Sequence, residues 1–205
     1  MNFRGIASLI LALLVFGAAQ GQAEPADKKA PPPLTADQLN KVWADFAMND
    51  DAGTQKAFRD IQAMIAASKL AVPFLKERLQ PVPIPDAKRI QQCIADLDGK
   101  DFKTREQAAK ELEKFGPLAA AALEKQLEEK LSLDLRRRVE GLLERANRVT
   151  LSADELRTIR GIEVLRGIGS PEAIDVLQRL AQGADGAVVT LQARQALAEL
   201  KKPGK

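Results

Sequence analysis

The sequence predicts an all-α protein whose helices stack along the chain as an α-solenoid. The first observation is an internal repeat, because residues 104–148 and 157–200 carry apolar residues and helix-ending glycines in the same order. The matching pairs include Leu112 and Leu165, Gly116 and Gly169, Pro117 and Pro171, Leu123 and Leu177, and Val139 and Ala193. The second observation is apolar spacing at i, i+3, i+4 and i+7, without strand-like alternation. A helical repeat of this length is typical of solenoids, whose units bury their apolar faces against neighbouring units.

The first 23 residues predict a secretory signal peptide. Arg4 supplies a positive charge, and Ile6 to Ala19 is an uncharged apolar run. Small residues at Gly21 and Ala23 favour cleavage before Glu24, with cleavage after Ala19 as the alternative. The run is shorter than the roughly 20 apolar residues of a comfortable membrane span, although an uncleaved anchor is a second interpretation. We therefore expect export to the periplasm, the cell envelope or the medium, with no membrane span in the mature form.

Residues 24–34 predict an extended spacer, and residues 35–202 predict the folded domain. The spacer reads EPADKKAPPPL and is rich in Pro and Lys, a composition that does not favour packing. Removing Arg4 with the signal peptide leaves 30 basic and 28 acidic residues. This near-neutral balance does not favour a polyanion as partner, and the low aromatic content and export argue against nucleic acid.

The first predicted helix caps the array, and two further helices follow it. Thr35-x-x-Gln38 is a capping box, in which the two side chains satisfy free backbone N–H groups. The second helix is expected over about 53–67 and the third over about 71–79, with Pro73 in its first turn. The side chains predicted to face inward on these three helices are Leu39, Val42, Trp43, Phe46, Phe58, Ile61, Met64, Ile65, Phe74, Leu75 and Leu79.

A proline-rich break, Pro81 to Pro85, separates these helices from the next four and predicts a short stiff connection. Asp101 is the expected cap of the fifth helix, and Gly116 ends it as a C′ glycine. Pro117 then opens the sixth helix. The fourth, fifth and seventh helices are expected over about 86–97, 102–115 and 132–147.

Three further helices complete the chain. Ser152-x-x-Glu155 is a second capping box and opens the eighth helix, which Gly169 ends. Ser170-Pro171-Glu172 provides a cap, a first-turn proline and a first-turn acid for the ninth helix. The tenth follows a turn at 183–186. The units predicted from this pattern are about 53–97, 102–148 and 153–202.

The eighth to tenth helices also resemble a known repeat family. Residues 164–173 read VLRGIGSPEA, in which a glycine ends one helix and Pro-Glu-Ala opens the next, and Ala193 to Leu197 resembles an Ala-x-x-Ala-Leu helix start. These stretches are similar to HEAT-like and armadillo-like repeat proteins. Residues 71–86, 94–116 and 136–144 resemble a segment of planctomycete-type bacterial proteins often found beside WD40 repeats. The resemblance implies a right-handed α-solenoid that acts as a protein-interaction scaffold, and it carries over no catalytic residues.

The composition argues against an enzyme, a bound metal and a cofactor. His and Tyr are absent, which removes the commonest general base and the commonest zinc ligand. Cys93 is the one cysteine, and its helical spacing favours a buried side chain over a reactive thiol or an intermolecular disulfide. An EF-hand loop starting at Asp96 would need an oxygen ligand, a glycine and a glutamate where Lys100, Asp101 and Gln107 stand, so we expect no calcium site.

The predicted binding surface is the solvent side of the seventh and tenth helices. Its residues are Arg137, Arg138, Glu144 and Arg194, and the expected partner is another protein bound by a monomeric scaffold. The rival hypothesis is a cell-envelope module that binds a polyanion or assists an enzyme. It would use the basic residues Arg136, Arg137, Arg138, Arg145, Arg148, Arg157 and Arg160.

Overall fold

The computed structural model describes residues 34–147 and 151–202, in which all regular secondary structure is α-helical. The predicted all-α class is confirmed. The predicted signal peptide, nearly all of the predicted spacer and Arg148 lie outside the described residues. The helices are α1 Ala36–Asp45, α2 Asp51–Ala66, α3 Ser68–Arg78, α4 Ala87–Asp96, α5 Phe102–Phe115, α6 Pro117–Leu127, α7 Leu133–Ala146, α8 Ala153–Ile168, α9 Pro171–Ala181 and α10 Val188–Leu200.

The predicted start and stop signals are present where the sequence placed them. Capping boxes open α1 at Thr35 and α8 at Ser152, and the Asp101 carboxylate accepts a hydrogen bond from the Thr104 N–H at 3.1 Å. Gly116 and Gly169 follow α5 and α8 with φ angles of 50° and 61°, which glycine adopts without steric cost. These local signals therefore fix where the helices begin and end.

Two separate apolar cores divide the helices. One core joins α1, α2 and α3 to α8, α9 and α10, and we call these helices the six-helix unit. The other lies among α4, α5, α6 and α7, which we call the four-helix unit. The large side chains with less than 2% exposure are Phe46, Met64, Leu75, Leu79, Val164, Leu165, Leu177 and Leu180 in the first core and Leu97, Leu112, Leu123 and Val139 in the second.

The four-helix unit therefore lies within the sequence of the six-helix unit. Helices α1 to α3 precede it in the chain and α8 to α10 follow it. In the six-helix unit α8 packs on α2, α9 and α10; in the four-helix unit α4 packs on α5 and α6, while α7 packs on α5 and α6. A sequential array would instead stack units 53–97, 102–148 and 153–202 in chain order. The structure differs, because α2 packs on α8 whereas α4 packs on α5. Apolar spacing specifies which face of a helix is buried but not which helix covers it.

Hydrogen bonds from two arginine side chains join the C-terminal helices α8 and α9 to the N-terminal helices α1 and α3. Arg160 of α8 is 8% exposed and donates to the carbonyl oxygens of Phe46 and Met48 at 2.9 and 2.8 Å. Arg179 of α9 donates to the carbonyls of Lys76 and Leu79 at 2.7 and 2.9 Å. Both arginines therefore satisfy carbonyl groups at the ends of α1 and α3, where helices leave acceptors without partners.

Two details of the first helices differ from the sequence-based expectation. Phe58 was expected to face inward but is 61% exposed, because α2 buries the stripe Gly53, Ala57, Ile61 and Met64 instead. Pro73 was expected in the first turn of the third helix, but α3 begins at Ser68, which makes Pro73 the sixth residue. The buried stripe of α2 begins with the small residues Gly53 and Ala57, which carry a weaker apolar signal than Phe58 does.

Candidate protein-interaction surface

The outer face of α7 carries two of the predicted site residues, whereas Arg138, on the same helix, is half-buried. Leu135, Val139 and Leu142 face the core of the four-helix unit. Successive helical residues point about 100° apart, so Arg137 and Glu144, seven residues apart, lie together on the opposite side. Both are exposed. The structure therefore agrees with the sequence in placing these two side chains toward solvent.

An exposed apolar residue opens α7, and a second one opens α5. Leu133 is 67% exposed and Phe102 is 69% exposed. Each is the first residue of its helix and packs little. Large apolar side chains at this level of exposure are uncommon, and when they cluster they mark interaction sites. Their relative position therefore decides whether they form one surface.

The C-terminal ends of α5 and α7 meet. Arg138, in the middle of α7, donates to the Leu97 carbonyl at the C-terminal end of α4, at 3.1 Å. Arg145, near the end of α7, forms an ion pair of 2.8 Å with Glu113, near the end of α5. Leu133 precedes Arg145 by 12 residues and Phe102 precedes Glu113 by 11. At 1.5 Å per residue, Phe102 and Leu133 therefore lie about 16–18 Å back from this ion pair, at the N-terminal ends of two helices that pack on each other.

The predicted basic cluster is largely engaged in contacts within the chain. Arg136 donates to the Leu127 carbonyl at 3.3 Å, and Arg157 pairs with Asp154. Arg138 binds both the Leu97 carbonyl and Asp134, and Arg145 binds Glu113. Burial lowers the pKa of Arg160, whose guanidinium is directed into the protein. Within the described part of the chain, Arg137 alone among these arginines has neither a hydrogen bond nor an ion pair.

The fourth predicted site residue, Arg194, lies on the other unit. Its side chain donates to the Ala181 carbonyl at 2.9 Å and pairs with Asp185 at 2.8 Å, so it holds the turn that precedes α10. Arg194 belongs to the six-helix unit, whereas Arg137, Arg138 and Glu144 belong to the four-helix unit. The structure therefore brings three of the four predicted residues together on one helix and places the fourth in the other unit.

We expect Gly141→Ala on α7 to stabilise the protein by about 0.5–1 kcal/mol. A methyl group at Gly141 would meet only Arg145 Nη1, at 3.6 Å, so the gain in helix propensity has no steric cost. Urea unfolding followed by circular dichroism measures the change. Gly161→Ala is the matched control, since its methyl would lie 3.3 Å from both Leu75 and Leu79 and should not stabilise. Equal gains at both positions would contradict this packing.

A shallow cleft of about 230 Å³ lies between α4 and α5, lined among others by Arg89, Cys93 and Glu111. Cys93 is 2% exposed, and its thiol donates to Glu111 at 3.4 Å. Burial and this hydrogen bond raise the pKa of Cys93, whereas the hydrogen bond from Arg89 lowers the pKa of Glu111. A protonated, buried thiol is a poor nucleophile, so the arrangement favours packing over chemistry.

The pair Phe102 and Leu133 was not predicted from the sequence. Each directly follows a helix cap, Asp101 or Ser132, and the sequence around this first helical position does not indicate whether an apolar side chain is buried or exposed. Across residues 34–147 and 151–202, no group of three or more Cys, Asp or Glu side chains is placed to hold a metal ion. In the same ranges, no helix combines the length and apolar content needed to cross a bilayer.

We define the α5–α7 surface as Phe102, Leu133, Arg137 and Glu144. It combines two exposed apolar side chains, an unpaired guanidinium and a carboxylate on two helices that pack on each other. No family model, curated protein or solved structure matches the chain.

Proposed function

We propose that this protein is an exported, non-catalytic scaffold that binds another protein through the α5–α7 surface. The observation that carries the proposal is the exposed pair Phe102 and Leu133, which begin two helices that pack on each other and are each about two-thirds exposed. Apolar anchors next to an arginine are the composition that protein interfaces favour, because aromatic residues and Arg contribute most of their binding energy. Arg137 would pair with an acidic group of the partner.

In this proposal, the pairs of consecutive packed helices are HEAT-like hairpins. The consecutive pairs α4–α5, α6–α7 and α9–α10 each pack closely, as the two helices of a HEAT-like unit would. The repeated segments also share their internal packing, since α5, α6 and α7 contact one another and so do α8, α9 and α10. The proposed scaffold therefore uses HEAT-like hairpins, arranged around two cores rather than in one continuous right-handed array.

The rival polyanion-binding or enzyme-accessory function has less support. It needs a cluster of arginines free to meet phosphate or carboxylate groups, whereas Arg136, Arg138, Arg145 and Arg157 bind groups of their own chain. Exposed cation clusters act through the field they present together, and pairing with carbonyls and carboxylates reduces that field. The protein-binding function is therefore our first choice.

Arg137→Glu and Leu133→Ser test the proposal separately. Each should cut recovery of a bound protein at least about tenfold, since losing an interface anchor typically costs more than about 1.4 kcal/mol. The measurement is affinity capture from cell-envelope and secreted fractions, with the chain from Glu24 as bait, at low and high salt. Arg138 is left unchanged in these variants, because it holds the Leu97 carbonyl and its loss would disturb the fold.

Lys69→Glu is the matched control, since Lys69 is exposed on α3 of the six-helix unit. It changes the net charge as much as Arg137→Glu does, at a position away from the proposed surface. A partner lost equally in all three variants, or retained in both surface variants, would overturn this assignment. Capture of polyanions alone, lost at high salt, would favour the rival function.

A further inference from the structure

The outer side of α3 carries three large side chains on successive turns. The helix buries Ala71 and Leu75 in the core of the six-helix unit. Leu70, Phe74 and Arg78 follow one another at intervals of four residues, so they form a ridge beside the buried stripe. Leu70 is 47% exposed, Phe74 is half-buried and Arg78 is exposed. The ridge is therefore open to solvent along two turns of the helix.

The ring of Trp43, on α1, adds a second aromatic group to this ridge. It meets the ring of Phe74 edge to face, with 6.4 Å between the ring centroids, and both rings are half-buried. In the described part of the chain the Trp43 indole N–H has no hydrogen-bond acceptor, although an indole N–H that is removed from water usually has one. The carbonyl oxygen of a ligand would supply it. We call Trp43, Leu70, Phe74 and Arg78 the α1–α3 surface.

The Arg78 guanidinium is held in position without a carboxylate. Its central carbon lies 3.7 Å from the centre of the Phe74 ring, and it donates to Asn40 Oδ1 at 2.7 Å. Across residues 34–147 and 151–202 it forms no ion pair. A guanidinium that is already oriented loses little side-chain entropy on binding, and its remaining N–H groups match the geometry of a carboxylate. The surface therefore favours a ligand with an acidic residue.

The spacing along α3 favours an extended ligand over a helical one. Leu70 and Arg78 are eight residues apart, which is about 12 Å at 1.5 Å per residue. A polyproline II segment covers the same distance in about four residues. Its carbonyl groups make no internal hydrogen bonds, so they can accept from the Trp43 indole N–H, whereas the carbonyls of a helix are already bonded. Aromatic-lined surfaces are known to bind such proline-rich segments.

We propose that the α1–α3 surface binds a proline-rich, extended segment of another protein. An acidic residue of the segment pairs with Arg78, and an apolar residue about four positions away packs on Leu70. The prolines between them pack on Trp43 and Phe74. This surface shares no residue with the α5–α7 surface, so the inference is tested separately from the proposed function.

Titration of the intact chain with short capped peptides tests the proposal, with Trp43 emission as the readout. Trp43 is the one tryptophan of the chain and lies in the surface itself. The probe peptide contains one aspartate, three prolines and one leucine, and it is used in this order and in the reverse order. We expect a saturable change in emission for at least one of the two orders. Replacing the aspartate by lysine, or the three prolines by alanine, should weaken binding at least about tenfold.

Arg78→Gln should weaken binding of the probe peptide about tenfold, because it removes the charge that pairs with the aspartate. Arg59→Gln is the matched control, since Arg59 is exposed on α2 and its loss changes the net charge equally. Arg137→Glu, on the α5–α7 surface, should also leave this binding unchanged. Leu70→Ser is the second variant should Arg78→Gln lower the unfolding midpoint, and it should weaken binding as well.

Three results would overturn the proposal. The first is an emission signal that does not saturate with either order of the probe peptide. The second is equal affinity for the probe and for the peptide with lysine or alanine. The third is binding that both Arg78→Gln and Leu70→Ser retain, because the peptide would then bind elsewhere on the chain.

Discussion

Arg160→Met is expected to lower the free energy of unfolding of the six-helix unit by about 3 kcal/mol. The guanidinium supplies both hydrogen bonds to the Phe46 and Met48 carbonyls, and methionine keeps much of the volume while donating none. Without this donor, the two carbonyl oxygens would have neither water nor a protein group to bond, which destabilises the folded state. The loss should therefore exceed that of any surface arginine in the chain.

Trp43 emission during urea unfolding measures this effect. Trp43 is the one tryptophan of the chain, and its ring lies 6.4 Å from that of Phe46, so it reports on the region that Arg160 holds. Arg145→Met is the control, because its exposed ion pair with Glu113 should contribute less than about 1 kcal/mol. Equal shifts in the two variants would show that Arg160 does not bridge the ends of the chain.

Leu112→Ala is expected to destabilise the four-helix unit by about 3 kcal/mol, within the range of about 2–5 kcal/mol for buried leucines. Leu112 is 1% exposed and lies in the core that also contains Cys93. The variant should therefore expose the thiol more often, raising its labelling rate by about a hundredfold if labelling follows opening of this unit.

Leu165→Ala is the counterpart in the other core. Leu165 occupies the equivalent place in the repeat and is fully buried, so its loss should have a similar free-energy cost. It should lower the Trp43 unfolding midpoint and leave the thiol labelling rate nearly unchanged. Identical effects of the two variants on both probes would mean that the chain unfolds as one cooperative structure. That result would contradict separate unfolding of the two cores.

The helices could be predicted because their signals are local. The capping boxes at Thr35 and Ser152, the glycines that end α5 and α8, and apolar stripes such as Leu135, Val139 and Leu142 all act within one or two turns. The repeat of Leu112 and Leu165 likewise predicted two equivalent buried positions, which the structure confirms. Local propensity and periodicity were sufficient for these features.

The pairing of the helices could not be predicted in the same way. Nothing near Arg160 in the sequence indicates that its guanidinium meets carbonyl groups 114 and 112 residues away. The same side chain was a candidate for a basic binding patch, because an arginine looks alike in a sequence whether it faces solvent or a buried carbonyl. Contacts between residues far apart in the sequence decide which helices pack together. The repeat pattern alone favoured contacts between helices that are consecutive in the chain.

The candidate surface was predictable in part. Arg137 and Glu144 were placed on the outer face of α7 by helical spacing, and both are exposed. Phe102 and Leu133 were missed, since an apolar residue at the first position of a helix fits an inward stripe as well as an exposed position. Their place on two packed helices depends on contacts between residues far apart in the chain, such as the ion pair between Arg145 and Glu113.

Hydrogen exchange in Arg160→Met, compared with the unchanged chain, tests most directly whether the two ends share one core around an inserted unit. We predict faster exchange of backbone amides in 36–66 and 153–200, with little change in 87–146, because Arg160 holds the C-terminal end of α1. Faster exchange confined to 102–146 and 153–200, with α1 and α2 unaffected, would contradict this account and would indicate helices stacked in chain order.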